Sequence, residues 1–201
     1  LTPKDCAAYV CLFEHHADKA FAPIVNLEKK SMDALYLVKE DLNLIQAVKE
    51  TVGWNPESKG SMFHFKKPGT KNALQAWNPH QDNSYTEAPQ GKIATAILAL
   101  HDATQENGGI YVWPGSHVEP ILPFNRTKTT SLNPGNKIKR IPGQYKREEV
   151  NLKAGDLLIF DGNLIHSSSA NHSQKPRAML GIIFVEMGAK IKYGRRRADK
   201  R

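Results

Sequence analysis

Two side chains that could bind a metal ion stand two positions apart in the segment Trp77–Asn83. They are His80 and Asp82, one imidazole and one carboxylate. In an extended chain, residues i and i+2 project to the same side, so both groups can face one ion. An imidazole and a carboxylate are two of the three ligands of a facial non-haem iron(II) site, which leaves the other iron positions open. The pair alone is weak evidence, and the third ligand must come from another part of the chain.

His166 is the strongest third ligand, because it ends an apolar strand pattern and is followed by the polar run Ser167–Ser169. Arg177 opens the apolar segment Ala178–Val185, where a guanidinium is costly to bury unless it meets an anion. Its planar fork suits a carboxylate held at two points. An antiparallel hairpin would bring Arg177 back towards His166. These residues, together with the first pair, predict a metal site beside a carboxylate site.

The elements that must position these residues change in kind along the chain. Residues 1–53 are typical of helices, with Thr2 and Asp41 as caps and Gly53 as a terminator. From Ser61 onward, short apolar segments alternate with Gly/Pro turns and predict strands. This order predicts an α+β chain with a mainly β core, a sandwich or barrel. The predicted extended segments are Met62–Phe65, Leu74–Pro79, Ile93–Leu100, Ile110–Trp113, Glu149–Leu152, Leu157–Phe160, Ile165–Ser167 and Ala178–Val185.

Length and composition indicate one globular domain. The chain has 201 residues, of which 40% are hydrophobic and 24% charged, enough to bury a core. We expect a single domain over 1–189, with the Pro- and Gly-rich segment 118–149 as a long loop or lid. Residues 190–201 form a basic tail that carries most of the net charge of +8, so the body is nearly neutral. Nucleic-acid binding is therefore not favoured.

Membrane insertion and secretion are not favoured either. The longest nearly apolar run, Ile93–Leu100, has eight residues, and a span needs about twenty. Leu1–Val10 lacks the apolar stretch of a signal peptide. Cys6 and Cys11 would point apart on a helix, so no disulfide is expected between them. These features favour a reducing compartment and a cytoplasmic location.

Four segments, met in this order, resemble the phytanoyl-CoA dioxygenase family of iron(II)- and 2-oxoglutarate-dependent oxygenases. They are Asn78–Asp82, Asn107–His117, Ala154–Asp156, and His166–Ser168 followed by Arg177. The resemblance runs from about Ser61 to Val185. It implies a double-stranded β-helix, a jelly-roll-like, cupin-like barrel with the N-terminal helices packed outside.

The resemblance also implies the roles of individual residues. It makes His80, Asp82 and His166 the iron ligands, and it places Arg177 and Ser168 on the far carboxylate of 2-oxoglutarate. Met62 would line the cosubstrate pocket. The implied reaction uses Fe(II), 2-oxoglutarate and O2 to hydroxylate a C–H bond of a small molecule, with release of succinate and carbon dioxide. Related halogenases have a small residue where this chain has Asp82, which favours hydroxylation.

The chain departs from the family pattern at two places. Members often carry an aromatic residue in the strand after the first ligands, where this chain has Ile97 or Leu98. Leu1–Cys6 resembles the turn after the family's first strand, so we expect a fragment that lacks that strand. Candidates for the substrate side are Gln75, Trp77, Asn83 and Tyr85, and the basic loop residues that could meet an anionic substrate are Arg126, Lys128, Lys137, Lys139 and Arg140.

Three other functions stay open at this level. A zinc hydrolase could use the same two His and one Asp, but it gives no role to Arg177 and lacks an evident general base. A non-catalytic metal- or ligand-binding β-barrel module would keep the fold without turnover. Nucleic-acid binding would have to depend on the basic tail, which carries only Tyr193 as an aromatic residue. Five of the six other histidines are interpreted as surface or structural residues, namely His15, His16, His64, His101 and His117.

Overall fold

A computed structural model of the chain describes residues 1–14, 23–128 and 131–192. His15, His16 and most of the basic tail lie outside these ranges. The helices are α1 (Pro3–Glu14), α2 (Met32–Lys39), α3 (Leu42–Val52) and the short α4 (Asn83–Thr86), with 3-10 turns at Leu27–Lys29, Gln105–Asn107 and Ser116–Val118. The strands are β1 (Ile24–Val25), β2 (Pro56–Lys66), β3 (Trp77–His80), β4 (Ile93–Ala99), β5 (Ile110–Val112), β6 (Phe124–Asn125), β7 (Lys137–Ile138), β8 (Glu148–Val150), β9 (Leu157–Asp161), β10 (His166–Ser168) and β11 (Arg177–Glu186).

The helix ends lie where the sequence predicts them. The amide of Asp5 donates to Thr2 Oγ1 at 3.2 Å, which caps α1. The amide of Leu44 donates to Asp41 Oδ1 at 2.9 Å, and α3 ends at Gly53 with a φ of 74°. Cys6 is buried and Cys11 exposed, and both are free thiols, as expected. No helix of the described ranges is long and apolar enough to cross a membrane.

Two antiparallel sheets make up the body of the fold. The larger has the order β1-β2-β11-β4-β9 and the smaller the order β3-β10-β5-β8, while β6 and β7 pair separately. A mainly β core that follows N-terminal helices is therefore confirmed. Within the described ranges the ladders form separate sheets and no closed barrel, and the double-stranded β-helix stays a prediction. β2 is much longer than the predicted Met62–Phe65, because the ten residues of β11 pair along its whole length, including its polar first half.

Alternation along β2 and β11 creates two surfaces. Phe63 of β2 and Leu180 of β11 are almost fully buried in the main core, which also contains Phe13 of α1. The intervening residues face the other way and line a cavity, among them Met62 and Gly181. The main core thus packs the helices against the larger sheet. The opposite face of that sheet is left for a site.

Candidate metal centre and its cavity

The three predicted metal ligands come together. His80 ends β3, and His166 begins β10 directly opposite it in the ladder. Their ring centroids are 4.2 Å apart. Asp82 Oδ1 lies 3.4 Å from His80 Nε2, and Asp82 Oδ2 lies 3.6 Å from His166 Nε2. The potential ligand atoms of all three residues lie within 4.8 Å of one another, the spacing that one metal ion requires.

The route by which Asp82 reaches the site differs from the prediction. We expected His80 and Asp82 to share one face of an extended chain. Instead the strand stops at His80, and Asp82 has helical angles, φ −62° and ψ −32°, as the residue before α4. The change from strand to helix turns the carboxylate back towards the imidazole.

Backbone carbonyls orient both imidazoles. His80 Nδ1 lies 2.7 Å from the carbonyl oxygen of Asn78, and His166 Nδ1 lies 3.1 Å from that of Leu164. A carbonyl only accepts, so Nδ1 carries a proton, and in the neutral ring the lone pair is on Nε2, which faces Asp82. Burial also lowers the pKa of His166 to about 4, although Asp82 opposes this shift. The His166 ring is therefore held in the neutral form that binds a metal.

A residue that the sequence analysis did not select completes the centre. Thr95, on β4 of the larger sheet, donates from Oγ1 to Asp82 Oδ2 at 2.6 Å. Burial alone would raise the pKa of Asp82, but the positive charge that His166 and His80 carry when protonated, together with this hydroxyl, holds it well below its ordinary value. Asp82 is thus a carboxylate. The available signal was a single threonine in the buried apolar run Ile93–Leu100, where a hydroxyl needs a partner.

Arg177 faces the same cavity from the larger sheet. It is 2% exposed, and burial lowers its pKa to about 9. Its Nε has no hydrogen-bond partner, and no salt bridge to it occurs among the described residues. Such a cation calls for an anion from outside the chain. The predicted hairpin with His166 is wrong, because β10 and β11 belong to different sheets whose inner faces meet at the cavity.

The cavity has a volume of about 620 Å³. Ser168 and Met62, the residues that the resemblance places near the cosubstrate, line this cavity. Of the proposed substrate-side residues, Trp77 and Tyr85 lie in its wall. Gln75 and Asn83 do not, because both are buried away from it; the Asn83 amide binds the backbone of Ala88 instead. At the departure from the family pattern, Ile97 lines the cavity and Leu98 packs in the main core.

The segment 118–149 contributes part of the cavity wall. Arg126, Thr127 and Asn136 line the cavity, and the backbone N–H of Asn136 donates to the hydroxyl oxygen of Tyr85 at 2.7 Å. Ile138 within the same segment is buried, so part of this excursion is packed against the body. Only Arg126 of the five basic residues proposed for an anionic substrate reaches the cavity; the others are Lys128, Lys137, Lys139 and Arg140.

His64, which the sequence indicates as a surface or structural residue, is a further cavity residue. It lies on β2, two positions from Met62, so both face the same side. Its ring contacts Trp77 in a T-shaped arrangement with centroids 5.4 Å apart. Burial, with Arg177 and Lys66 nearby, holds the pKa of His64 well below its ordinary value, so its imidazole is neutral. The spacing from Met62 was the signal that could have identified it.

Comparisons with known proteins agree with this geometry. The phytanoyl-CoA dioxygenase (PhyH) family model matches residues 12–179. A phytanoyl-CoA dioxygenase of Arabidopsis thaliana is 30% identical over 129 residues, which cover 63% of this chain and 43% of that protein. A phytanoyl-CoA dioxygenase domain-containing protein 1 of Danio rerio is 32% identical over 131 residues, 61% of this chain and 43% of that protein. The chain spans about half the length of the curated relatives it matches.

Solved structures share the fold. The epimerase SnoN from nogalamycin biosynthesis, in complex with Fe3+, alpha ketoglutarate and nogalamycin RO, has a TM-score of 0.78 at 20% identity, covering 94% of this chain and 77% of that one. The alpha ketoglutarate dependent carbocyclase SnoK has a TM-score of 0.76 at 17% identity, covering 98% and 81%. Because the family model matches most of its length, this chain belongs to the phytanoyl-CoA dioxygenase family.

Proposed function

We propose that this chain is an iron(II)- and 2-oxoglutarate-dependent oxygenase that hydroxylates a C–H bond of a small molecule and releases succinate and carbon dioxide. The observation that carries the proposal is the pairing, in one cavity, of a His-Asp-His cluster with a buried arginine that has no acidic partner among the described residues. A zinc hydrolase needs only the cluster. A 2-oxo dicarboxylate accounts for both features.

The donor set suits iron(II). Two neutral imidazoles and one carboxylate form the facial triad of non-haem iron oxygenases, and His80, Asp82 and His166 would hold the ion. When bound, iron supplies oxygen activation coupled to decarboxylation of the cosubstrate. The chain's own residues would orient the cosubstrate and enclose it. Arg177 and Ser168 would hold the far carboxylate, which fixes one orientation of 2-oxoglutarate in the cavity.

The fold proposal follows the same line. We infer that the two facing sheets are the halves of a double-stranded β-helix, in one domain over 1–189 with 118–149 as a lid over the cavity mouth. The position of Arg126 and Asn136 in the cavity wall supports the lid. The complete ligand set argues against a non-catalytic module of the same fold.

The test is anaerobic titration of the apo-protein with iron(II), followed by 2-oxoglutarate. We expect about one iron per chain and a weak visible charge-transfer band when the cosubstrate is added. His80→Ala and His166→Ala should abolish the band, whereas the exposed His172→Ala is the matched control and should keep it. Full iron binding by either ligand variant would contradict the ligand assignment.

Reaction type needs a second measurement, because solved neighbours include an epimerase and a carbocyclase. Iron-loaded protein is screened for succinate release against acyl-CoAs, amino acids and related small acids. Products of any active substrate are then analysed by mass for added oxygen. A gain of one oxygen atom supports hydroxylation, while an isomerised or cyclised product without added oxygen contradicts it.

A further inference from the structure

A second buried cation lies beside Arg177. Lys66 is the last residue of β2 and is directly opposite Arg177 in the β2–β11 ladder. It is 2% exposed. Burial, and then the neighbouring guanidinium, hold the pKa of Lys66 well below its ordinary value. Burying a lysine next to an arginine is unfavourable unless hydrogen bonds or an anion compensate for the two charges.

The ammonium group of Lys66 binds the strand that carries Ser168. Nζ donates to Ser168 Oγ at 3.1 Å and to the carbonyl oxygen of Ser169. None of the described salt bridges includes Lys66, so its contacts are these two oxygens. Because Ser168 Oγ accepts from Lys66, its own proton is free to be donated elsewhere. Ser168 lines the cavity, and there its hydroxyl can donate to an anion.

Gly108, in the Asn107–His117 segment, makes room for this lysine. A Cβ on Gly108 would lie 2.8 Å from Lys66 Cδ and 3.0 Å from the Ser169 carbonyl oxygen. Gly108 also has a φ of +93°, in the left-handed region that favours glycine. Any side chain at position 108 would therefore displace the lysine stem.

We propose that Lys66 is a positioning residue for the cosubstrate, which holds Ser168 so that its hydroxyl donates to the far carboxylate of 2-oxoglutarate beside Arg177. This inference rests on the proposed function. Lys66 acts through Ser168 and does not line the cavity itself. The role predicts selectivity for a dicarboxylate, since the contact exists only at the far end of the molecule.

The test compares two 2-oxo acids of equal length by anaerobic calorimetric titration of the iron-loaded protein. They are 2-oxoglutarate and 2-oxovalerate, which has a methyl group where the far carboxylate would be. Lys66→Met should weaken 2-oxoglutarate binding about tenfold, the effect of losing one hydrogen bond to a charged group. Binding of 2-oxovalerate should not change. Ser168→Ala should do the same, and the double variant should be no weaker than either single variant.

The outcomes separate the two levels of the argument. Equal 2-oxoglutarate affinity in wild type and Lys66→Met overturns the inference, and so does an equal loss for both acids, which indicates general damage to the pocket. A wild type that binds neither acid overturns the proposed function, and the role of Lys66 with it. If Lys66→Met does not fold, Gly108→Ala displaces the same side chain, and an unchanged preference for 2-oxoglutarate there overturns the inference.

Discussion

Replacing Thr95 with valine should weaken iron(II) binding while leaving the fold intact. The two side chains have nearly the same shape, and Thr95 is 4% exposed in the middle of β4. The change removes one contact of the centre, the 2.6 Å hydrogen bond from Oγ1 to Asp82 Oδ2. It also leaves a buried carboxylate oxygen without its donor.

The size of the effect follows from the charge on the acceptor. A hydrogen bond to an ionised group contributes about 1.5–3 kcal/mol, and loss of a residue that orients a metal ligand typically costs about 10- to 100-fold in metal affinity. We therefore expect Thr95→Val to raise the iron(II) dissociation constant by one to two orders of magnitude in an anaerobic competition titration with a chelator.

Thr95→Ser is the matched control, because it keeps the hydroxyl and removes only a methyl group. It should bind iron within a few-fold of wild type. Equal iron affinity in the valine and serine variants would refute the reasoning, since it would mean that the hydroxyl does not support Asp82. Circular dichroism of both variants checks that the fold is retained.

Three further predictions concern other parts of the molecule. Arg177→Met should weaken 2-oxoglutarate binding by several kcal/mol of binding free energy, with iron binding retained. It should also raise the melting temperature of the apo-protein, because it removes a buried cation whose Nε has no hydrogen-bond partner among the described residues; a lower melting temperature with unchanged cosubstrate binding would contradict this. The apo-protein should lose stability as the pH falls from about 6.5 to 4, because an unfolded histidine takes up a proton near its ordinary pKa while His166 resists until about 4; a flat stability profile in urea titrations over that range would count against it, and His166→Gln should reduce the slope. Asp41→Ala should cost about 1 kcal/mol of stability by removing the cap of α3, with no change in iron affinity, and a loss of iron binding would show that the helix and the site are coupled.

The sequence predicted which side chains converge, and the strand content, better than it predicted the routes that bring residues together. His80, Asp82 and His166 converge as expected, yet Asp82 arrives through a strand-to-helix turn. Arg177 faces the centre across the cavity and not along a hairpin. Spacing in the chain identifies side chains that could bind a metal. The pairing of strands into two sheets, however, is a long-range property that local patterns do not contain.

Residue type was a poor guide to which polar side chains face the cavity. Gln75 and Asn83 flank the metal ligands in sequence, but their amides satisfy buried backbone groups elsewhere. His64 and Thr95 were not selected as site residues, although both lie on predicted strands, where alternation makes each one face one of two sides. Their orientation depends on which face of each strand meets the helices, and that face is settled only when the core packs.

The alternation along β2 and β11 determines which positions of these strands tolerate substitution. Even-numbered positions of β11 such as Leu180 and Ile182 carry the packing against the helices, so substitutions there are paid for in stability. Gly181, between them, lines the cavity, and a Cβ there would meet nothing nearer than the Met62 carbonyl oxygen at 3.7 Å. Enlarging residue 181 would therefore reduce the volume of the cavity without disturbing the core. Substitutions on the cavity side of β11 can therefore change the size and shape of the cavity, while the neighbouring residues on the other face keep the protein folded.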